Sequence, residues 1–558
     1  MIRRLSLLLR LLALLLIAVT ATPVLAQGGM VSAADGRAAE AGRAMLRAGG
    51  SATDAAMAMM LALTVVEPQS SGIGGGGLLL HHDPETGALT TIDGRETAPA
   101  EAHGARFLTP DGVPLPFAEA FPGGRSVGVP GNIALMARAH ARWGKLPWAQ
   151  LFEPAIRLAE EGFEIRPLLA SRIRGMATVW ADFPEIRALY GNAQLGTVIH
   201  NPQLADTLRR IAAGGPEEFY RGATARAIET AVASAPRNPA ALTAADLAAY
   251  AAPERPPLCG RYRGWKICGM GPPSSGATTV LGILGMLERF DLRRMGKDNP
   301  VAWHLIAEAM QLAYADRDRY LGDADFGAVP TSGLIDPTYL RQRAALIAPE
   351  RARTDYPAGH PAGAGTHAAV PPSDEHGTTH FVAVDGQGEM VSMTSTVEGP
   401  FGSQLLAGGM VLNNELTDFS FLPERDGIPA ANRVEPGKRP LSSMSPTIVY
   451  DRSGRPVLAI GSAGGRRIIM HVAKALIGML DWQLPAQEAI ALPNIFFRGR
   501  TLLLEQGTAL EMMAPALAAL GHTVAPAQLE SKLNAIARVK GGWKGAADPR
   551  SEGLTLAE

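Results

Sequence analysis

Two threonine-bearing segments frame the chemistry this sequence is equipped to perform. Residues 378–385 (TTHFVAVD) and 389–397 (EMVSMTSTV) are rich in strand formers and are joined by Gly386-Gln387-Gly388, a hairpin signal. A three-residue loop sets Thr396 opposite Thr378 and Thr394 opposite His380, so that these four side chains share one face. Threonine favours strands for reasons of packing alone, and hydroxyls on a strand need no catalytic explanation. Thr378 differs by its place, directly after Gly377 at the boundary between a linker-like segment and a sheet-forming one. A chain cut there exposes a threonine that carries both a hydroxyl and its own α-amino group. With an ordinary pKa of about 7.7 to 8.0, that amine can accept the hydroxyl proton near neutral pH, so nucleophile and base reside in one residue.

Acyl transfer of this kind also needs donors for an oxyanion. GSAGGRRIIMHVAKALIGML places Gly464 and Gly465 between a strand-like run and an amphipathic helix, where backbone N–H groups favour developing negative charge. Read alone, the same stretch is a simple strand-to-helix turn. Arg95 (in DGRETAPA), Glu415 and Asp418 (in LNNELTDFS) and the Ser442-Ser443 pair (in KRPLSSMSPTIV), taken singly, fit surface ion pairs and a turn. His360, His367, Asp374, Glu375 and His376 gather near Gly377, but a flexible segment organises ligands poorly, and no metal or other cofactor is expected. His81-His82 read as the cap of a strand at a turn. Cys259 and Cys268 flank GRYRGWKI, whose two short strands bring the thiols together either as a disulfide or as two buried free thiols.

The elements that must position these groups change character along the chain. The first half is predominantly helical, with helices expected over 34–48, 52–66, 131–143, 147–161, 204–213, 223–234 and 301–320. Ser51 with Asp54 three residues on resembles a capping arrangement for the second of these. Gly74 to Gly77 lead into a strand with no following Lys-Ser/Thr and no helix, which rejects a phosphate loop in favour of close backbone packing. Residues 356–372 (YPAGHPAGAGTHAAVPP) cannot build a core and read as an exposed linker. Beyond it the pattern is α/β, with strands also expected at 409–412, 446–450, 456–461 and 501–505 and helices at 466–480 and 508–519.

Composition narrows the function class. The chain has 558 residues, 52 Lys+Arg against 53 Asp+Glu and two cysteines. With no basic surplus, nucleic acid is excluded as a partner, and two cysteines cannot build a disulfide scaffold or a four-cysteine metal site. Residues 1–26 open with Arg3 and Arg4, continue as a Leu-rich run broken by Arg10 and close on Val24-Leu25-Ala26, which reads as a cleaved signal peptide without a stable membrane span. A periplasmic or secreted location follows. Glycine, at 62 residues, is in excess of the usual share of about 7%.

The stretches quoted above, together with EPQSSGIGGGG, AYADRDRYLGD, GTTHF and ADPRS, resemble in type and order those of the gamma-glutamyltranspeptidase (gamma-glutamyltransferase, glutathione hydrolase) family of N-terminal nucleophile hydrolases. The resemblance covers essentially the whole mature length. It implies an α+β fold, the four-layer αββα sandwich, assembled from one precursor that cleaves itself between Gly377 and Thr378. Residues 27–377 would form a mostly helical large subunit ending in a mobile linker at 356–377, and residues 378–558 the small catalytic subunit, the two persisting as a heterodimer. By the same resemblance, Thr378 is the nucleophile of cleavage and catalysis, and Thr396 tunes it through a hydrogen bond. Arg95, Ser442 and Ser443 clamp a glutamate α-carboxylate, Glu415 and Asp418 hold its α-ammonium, and Gly464 and Gly465 form the oxyanion hole. The implied donors are glutathione or other γ-glutamyl compounds; the implied acceptors are water, amino acids or dipeptides.

Two departures bear on specificity. Glu398 stands in the substrate-binding set where many transpeptidases carry Asn, adding a third carboxylate near Arg95. Residues 419–440 contain no Tyr, whereas some members close the pocket there with a Tyr-bearing lid, so an open groove is expected. Both features keep open a glutaryl- or cephalosporin-acylase-like amide hydrolase of the same fold. A noncatalytic, unprocessed binding protein is a rival of a different class, against which Thr378 and the glycine pair weigh.

Overall fold

The computed structural model describes residues 28–371 and 377–558. The expected signal peptide lies outside the described residues, as do Asp374, Glu375 and His376.

Two antiparallel sheets face one another. The first runs, edge to edge, Leu554–Ala557, Met30–Ala33, Thr379–Val384, Met390–Thr396, Gly76–His82, Leu89–Gly94 and Glu254–Arg255. The second runs Gly542–Ala547, Asn534–Val539, Pro456–Gly461, Thr447–Tyr450, Trp265–Gly269 and Leu258–Tyr262. The period-two alternation of the first sheet explains the layering. Phe381 and Ala383 enter the core shared with the helices, whereas Val382 and Val384 enter the core between the sheets with Met390, Ile448 and Ile536. Helices Gly36–Arg47, Ala52–Val66 and Asn132–Trp143 cover the outer face of the first sheet, and Gly276–Leu287, Pro300–Tyr320 and Ile468–Leu480 that of the second. The result is the αββα sandwich.

Local chemistry sets several of these elements. Ser51 and Asp54 form a full capping box, Asp54 N–H donating to Ser51 Oγ at 3.1 Å and Ser51 N–H to the Asp54 carboxylate at 2.9 Å. The helix they start, Ala52–Val66, is buried along its whole length, and its small and flexible side chains let other helices and the sheet approach from all sides. At Gly75 a Cβ would collide with the Thr396 carbonyl oxygen, so the glycine run is a site of close backbone packing. Cys259 and Cys268 sit directly opposite in the antiparallel pair, Cα atoms 4.1 Å apart, and form a disulfide.

The structure differs from the sequence reading at several points. The helix expected over 204–213 runs as Pro202–Arg221 with a kink at Gly215 (φ 66°) before Pro216. The one expected over 508–519 divides into Ala509–Met512 and Ala514–Ala519, where Pro515 interrupts. His81 and His82 do end the strand Gly76–His82 before the turn closed by Gly87 N–H and Asp83 O, but both are buried there, His81 stacked on Trp143 at 3.8 Å and His82 edge-on to Tyr450. Residues 356–371 lack regular structure but are not an exposed linker. Tyr320 Oη donates to the Gly359 carbonyl at 2.6 Å, Ala368 N–H to Pro429 O at 3.0 Å, and Ala368 and Val370 bury against Ala430. Proline and glycine prevent a helix or strand there, yet small apolar side chains still fit a groove.

Candidate active site

The hairpin register places the threonines as the spacing requires. Thr394 pairs with His380 and Ser395 with Thr379, so Thr396 comes opposite Thr378 where the two strands end. This face looks inward between the sheets. His380 Nδ1 lies 2.9 Å from Thr394 Oγ1, and burial pushes the imidazole down to about 3, which keeps it neutral. Thr378 and Thr396 are both buried. Thr396 Oγ1 accepts the Glu398 N–H at 2.8 Å, fixing a turn in which Glu398 takes φ 72°. Gly377 packs so tightly on that turn that a Cβ would meet the Glu398 carbonyl oxygen.

A buried charge cluster lies beside the threonines. Arg95 follows the strand Leu89–Gly94, and the short 3₁₀ turn Glu415–Asp418 aims two carboxylates at it three residues apart. Arg95 Nη1 donates to Glu415, and Nη2 donates to Asp418 at 2.5 Å and to the Leu441 carbonyl at 2.9 Å. Nε donates to the Pro440 carbonyl at 3.1 Å. Burial works against this guanidinium's charge, but Glu415, Asp418 and Glu96 outweigh it and raise its proton affinity. Burial likewise raises Glu415 well above the carboxylate range and Glu96 to about 7, in both cases against the attraction of Arg95. Glu398 accepts from Asn414 Nδ2, and the Asn414 amide oxygen accepts the Gly399 N–H at 2.8 Å.

The serine pair arrives on the segment that leads into the strand Thr447–Tyr450. Ser275 donates twice to the Ser442 carbonyl, from N–H and from Oγ, each at 2.7 Å. Arg317, near the end of Pro300–Tyr320, donates to Ser443 Oγ at 2.7 Å and to Ser275 Oγ at 2.9 Å. Its neighbour Asp318 grips Arg466 at 2.8 Å, tying that helix to the turn Gly465–Arg467. In this turn Gly464 and Gly465 adopt φ 126° and 57°, backbone that side-chain-bearing residues rarely adopt.

Arg95, Gly377, Thr378, Thr396, Glu398, Glu415, Asp418, Ser442, Ser443 and Gly465 all line one small pocket. Thr378, Gly377 and Gly464 also line a larger outer cleft of about 480 Å³. Among the described residues, no side chain of 419–440 lines either cavity. That segment is held elsewhere, with Phe421 stacked on Phe107 at 4.6 Å and Asn432 Nδ2 donating to the Asp418 carbonyl at 2.7 Å. Asn414, Arg317, Ser275 and Glu96 are the members that sequence reasoning missed. The first lies inside LNNELTDFS, Arg317 inside AYADRDRYLGD and Glu96 inside DGRETAPA, so motif membership was the available signal.

A family model for gamma-glutamyltranspeptidase matches residues 38–557. The chain belongs to the gamma-glutamyltranspeptidase family. It is similar to the glutathione hydrolase proenzyme of Bacillus subtilis (strain 168), at 35% identity over 544 residues spanning 95% of this chain and 91% of that protein. It is also similar to the acylase ACY 1 proenzyme of Pseudomonas sp. (strain V22), at 36% identity over 554 residues, 96% and 94% of the two chains. Among solved structures, the cephalosporin acylase from Bacillus halodurans matches with a TM-score of 0.84 at 28% identity, covering 96% of this chain and 97% of that one. The transpeptidase fold thus extends over the whole described chain.

As to metals, His360 is exposed and His367 half-buried. Among the described residues, His304, Glu308 and His522 are the group with ligand atoms within reach of one another. They lie away from the transpeptidase pocket and have protein partners: His304 Nδ1 meets His522 Nε2 at 2.7 Å, His304 Nε2 meets the Ala348 carbonyl at 2.8 Å, and Glu308 accepts from the Tyr356 hydroxyl.

Proposed function

We propose that this chain is a precursor that cleaves its own Gly377–Thr378 bond and then acts, through Thr378, as a γ-glutamyltransferase and glutathione hydrolase. The observation that carries the reading is the position of Thr378, at the junction of a polar, charge-lined pocket and an open cleft. The acyl part of a donor enters the pocket, and its amine departs through the cleft. Thr378 Oγ attacks the γ-amide carbonyl and its proton passes to the α-amine. The C–N bond then breaks, the departing amine takes up that proton, and an ester to Thr378 remains. Water or an acceptor amine reverses these steps and releases glutamate or a new γ-glutamyl compound.

The remaining residues serve this sequence. Gly464 and Gly465 supply N–H donors to the oxyanion, and Thr396 orients the nucleophile. Arg95, through the one Nη1 hydrogen left by its protein partners, receives the α-carboxylate together with the Ser442 and Ser443 hydroxyls, and Glu398, Glu415 and Asp418 the α-ammonium. Residues 1–26 support export, and among the described residues no helix is long and apolar enough to cross a membrane.

Pairing an autocleavage assay with a turnover assay tests the proposal. Intact mass should resolve wild type into 27–377 and 378–558 on incubation, while Thr378→Ala stays whole and fails to release p-nitroaniline from γ-glutamyl-p-nitroanilide. A wild-type chain that stays whole overturns the N-terminal nucleophile account. An acylase reading is favoured by Glu398, the uncovered groove and the similarity to an acylase proenzyme. The carboxylate surplus around Arg95 favours instead a headgroup carrying an ammonium, which a glutaryl group lacks. A glutaryl-p-nitroanilide turned over in preference to the γ-glutamyl compound would decide for the acylase.

A further inference from the structure

Helix Pro300–Tyr320 carries His304 and Glu308 four residues apart, so both project from one face. The turn ahead of the strand Thr523–Ala527 brings His522 against them. All three side chains are buried, in a part of the helix whose neighbours Leu305, Ile306 and Ala309 belong to an apolar core. One nitrogen or oxygen atom of each lies within 4.8 Å of the others, His304 Nδ1 and His522 Nε2 being 2.7 Å apart. The acyl chemistry proposed for Thr378 makes no use of this trio, and polar groups gathered in an apolar core require compensation.

Partners outside the trio orient its members. His304 Nε2 lies 2.8 Å from the Ala348 carbonyl, which can only accept, so Nε2 carries the ring hydrogen and Nδ1 keeps its lone pair. Metal-ligating histidines are held in this way, one nitrogen donating to a carbonyl and the other turned to the ion. Glu308 is fixed from the same segment, accepting from the Tyr356 hydroxyl and, at 3.3 Å, from the Arg353 N–H. Two imidazole nitrogens and a carboxylate oxygen are a zinc donor set, whereas calcium and magnesium take oxygen ligands. Zinc bonds of about 2.0–2.1 Å place tetrahedral ligand atoms about 3.3 Å apart, so the histidine nitrogens must part by about 0.6 Å and the carboxylate oxygen close by at most about 1.5 Å. His522 then carries its ring hydrogen on Nδ1, and both imidazoles stay neutral. His522, 7% exposed, is the member that reaches solvent and gives the ion its way in.

We propose that His304, Glu308 and His522 form a zinc site that fastens the part of the chain before Gly377 to the part after it. His304 and Glu308 belong to the first part and His522 to the second, so the ion is bound jointly by both. The site itself stands on this geometry. Its role as a link between two separate chains rests on the reading that the Gly377–Thr378 bond is cleaved. After that cleavage no covalent bond joins helix Pro300–Tyr320 to the turn at His522, and the ion supplies ligand bonds across the gap.

The test uses the full-length protein without a histidine tag, stripped with EDTA, incubated with zinc sulfate and desalted. Elemental analysis should find about one zinc per precursor chain in wild type, and His522→Ala should bind it at least about tenfold more weakly. Cobalt(II) in place of zinc should give the visible absorption of a tetrahedral site in wild type and not in His522→Ala. Zinc at a hundredfold its Kd should raise the melting temperature by about 2 °C. In the matured protein, zinc should delay separation of the two subunits in urea, followed by size-exclusion chromatography, and His522→Ala should abolish the delay. Should His522→Ala not fold, Glu308→Gln removes a ligand while keeping an acceptor for Tyr356. Wild type that retains no zinc overturns the proposal, as does a ligand variant that retains as much as wild type. Zinc that binds without delaying separation overturns the link. Thr378→Ala should bind zinc as wild type does, so a wild-type chain that never cleaves defeats the cleavage reading while its zinc content still reads the site.

Discussion

Glu96 is the buried group whose titration is most clearly written in the structure. Its carboxylate is fully enclosed, 3.8 Å from Arg95 Nη1, and burial raises its pKa from 4.5 to about 7 despite that cation. The folded chain therefore holds a proton on Glu96 that the unfolded chain releases near pH 4.5. Stability from this group is complete below pH 4.5, declines as pH rises toward 7, and is lost above it. The loss corresponds to about 3 kcal/mol, the span from 4.5 to about 7 at 1.36 kcal/mol per decade. Glu96→Gln keeps the size and a hydrogen-bond donor but cannot ionise. With roughly 2.1 cal/mol/K of unfolding entropy per residue, 558 residues convert this to about 3 °C. The variant should match wild type in melting temperature at pH 4 and exceed it by about 3 °C at pH 8, with the difference opening between pH 4.5 and 7. Scanning calorimetry or intrinsic fluorescence at a series of pH values measures it. A difference that is flat with pH would refute the argument, and a variant less stable than wild type at pH 8 would show that ionised Glu96 is a net partner of Arg95.

Two further predictions concern the backbone around Thr378 and the covalent cross-link. Gly377→Ala should slow self-cleavage at least tenfold, followed by intact mass over time, because the added Cβ meets the Glu398 carbonyl and must displace the scissile bond; unchanged cleavage would show that the turn at Glu398 yields freely. Reducing Cys259–Cys268, or replacing both with Ser, should cost up to about 2.7 kcal/mol, the loop-closure value for a cross-link nine residues apart, read as a melting temperature lower by about 2 °C in reductant.

The hairpin was the most legible part of the site. Strand alternation has a period of two and the loop has three residues, so the pairing of Thr394 with His380 follows from numbering alone and appears in the register. The capping box at Ser51 was legible for the same reason, since its partners lie three residues apart. Other elements left weak local signals. The strands Asn534–Val539, Gly542–Ala547 and Leu554–Ala557 carry Gly, Lys and half-exposed positions, and they become strands because neighbouring edges offer them partners. Residues 356–371 have the composition of a free linker, and only the groove formed by Tyr320, Pro429 and Ala430 gives their small side chains somewhere to bury.

The sequence by itself determined the chemistry available: a threonine after a glycine at a change of structure, a second threonine opposite it across the hairpin, a glycine turn before a helix, and a near-neutral charge balance. All of these depend on residue type and short spacing. Only the tertiary structure decided which polar residues share the pocket, since Arg95 meets Glu415 and Asp418 across 320 and 323 positions of chain, a separation over which sequence carries no geometry. It also decided that Glu96 is buried with them. Burial and pairing are properties of what surrounds a side chain, and those surroundings come from distant segments that the two sheets bring together.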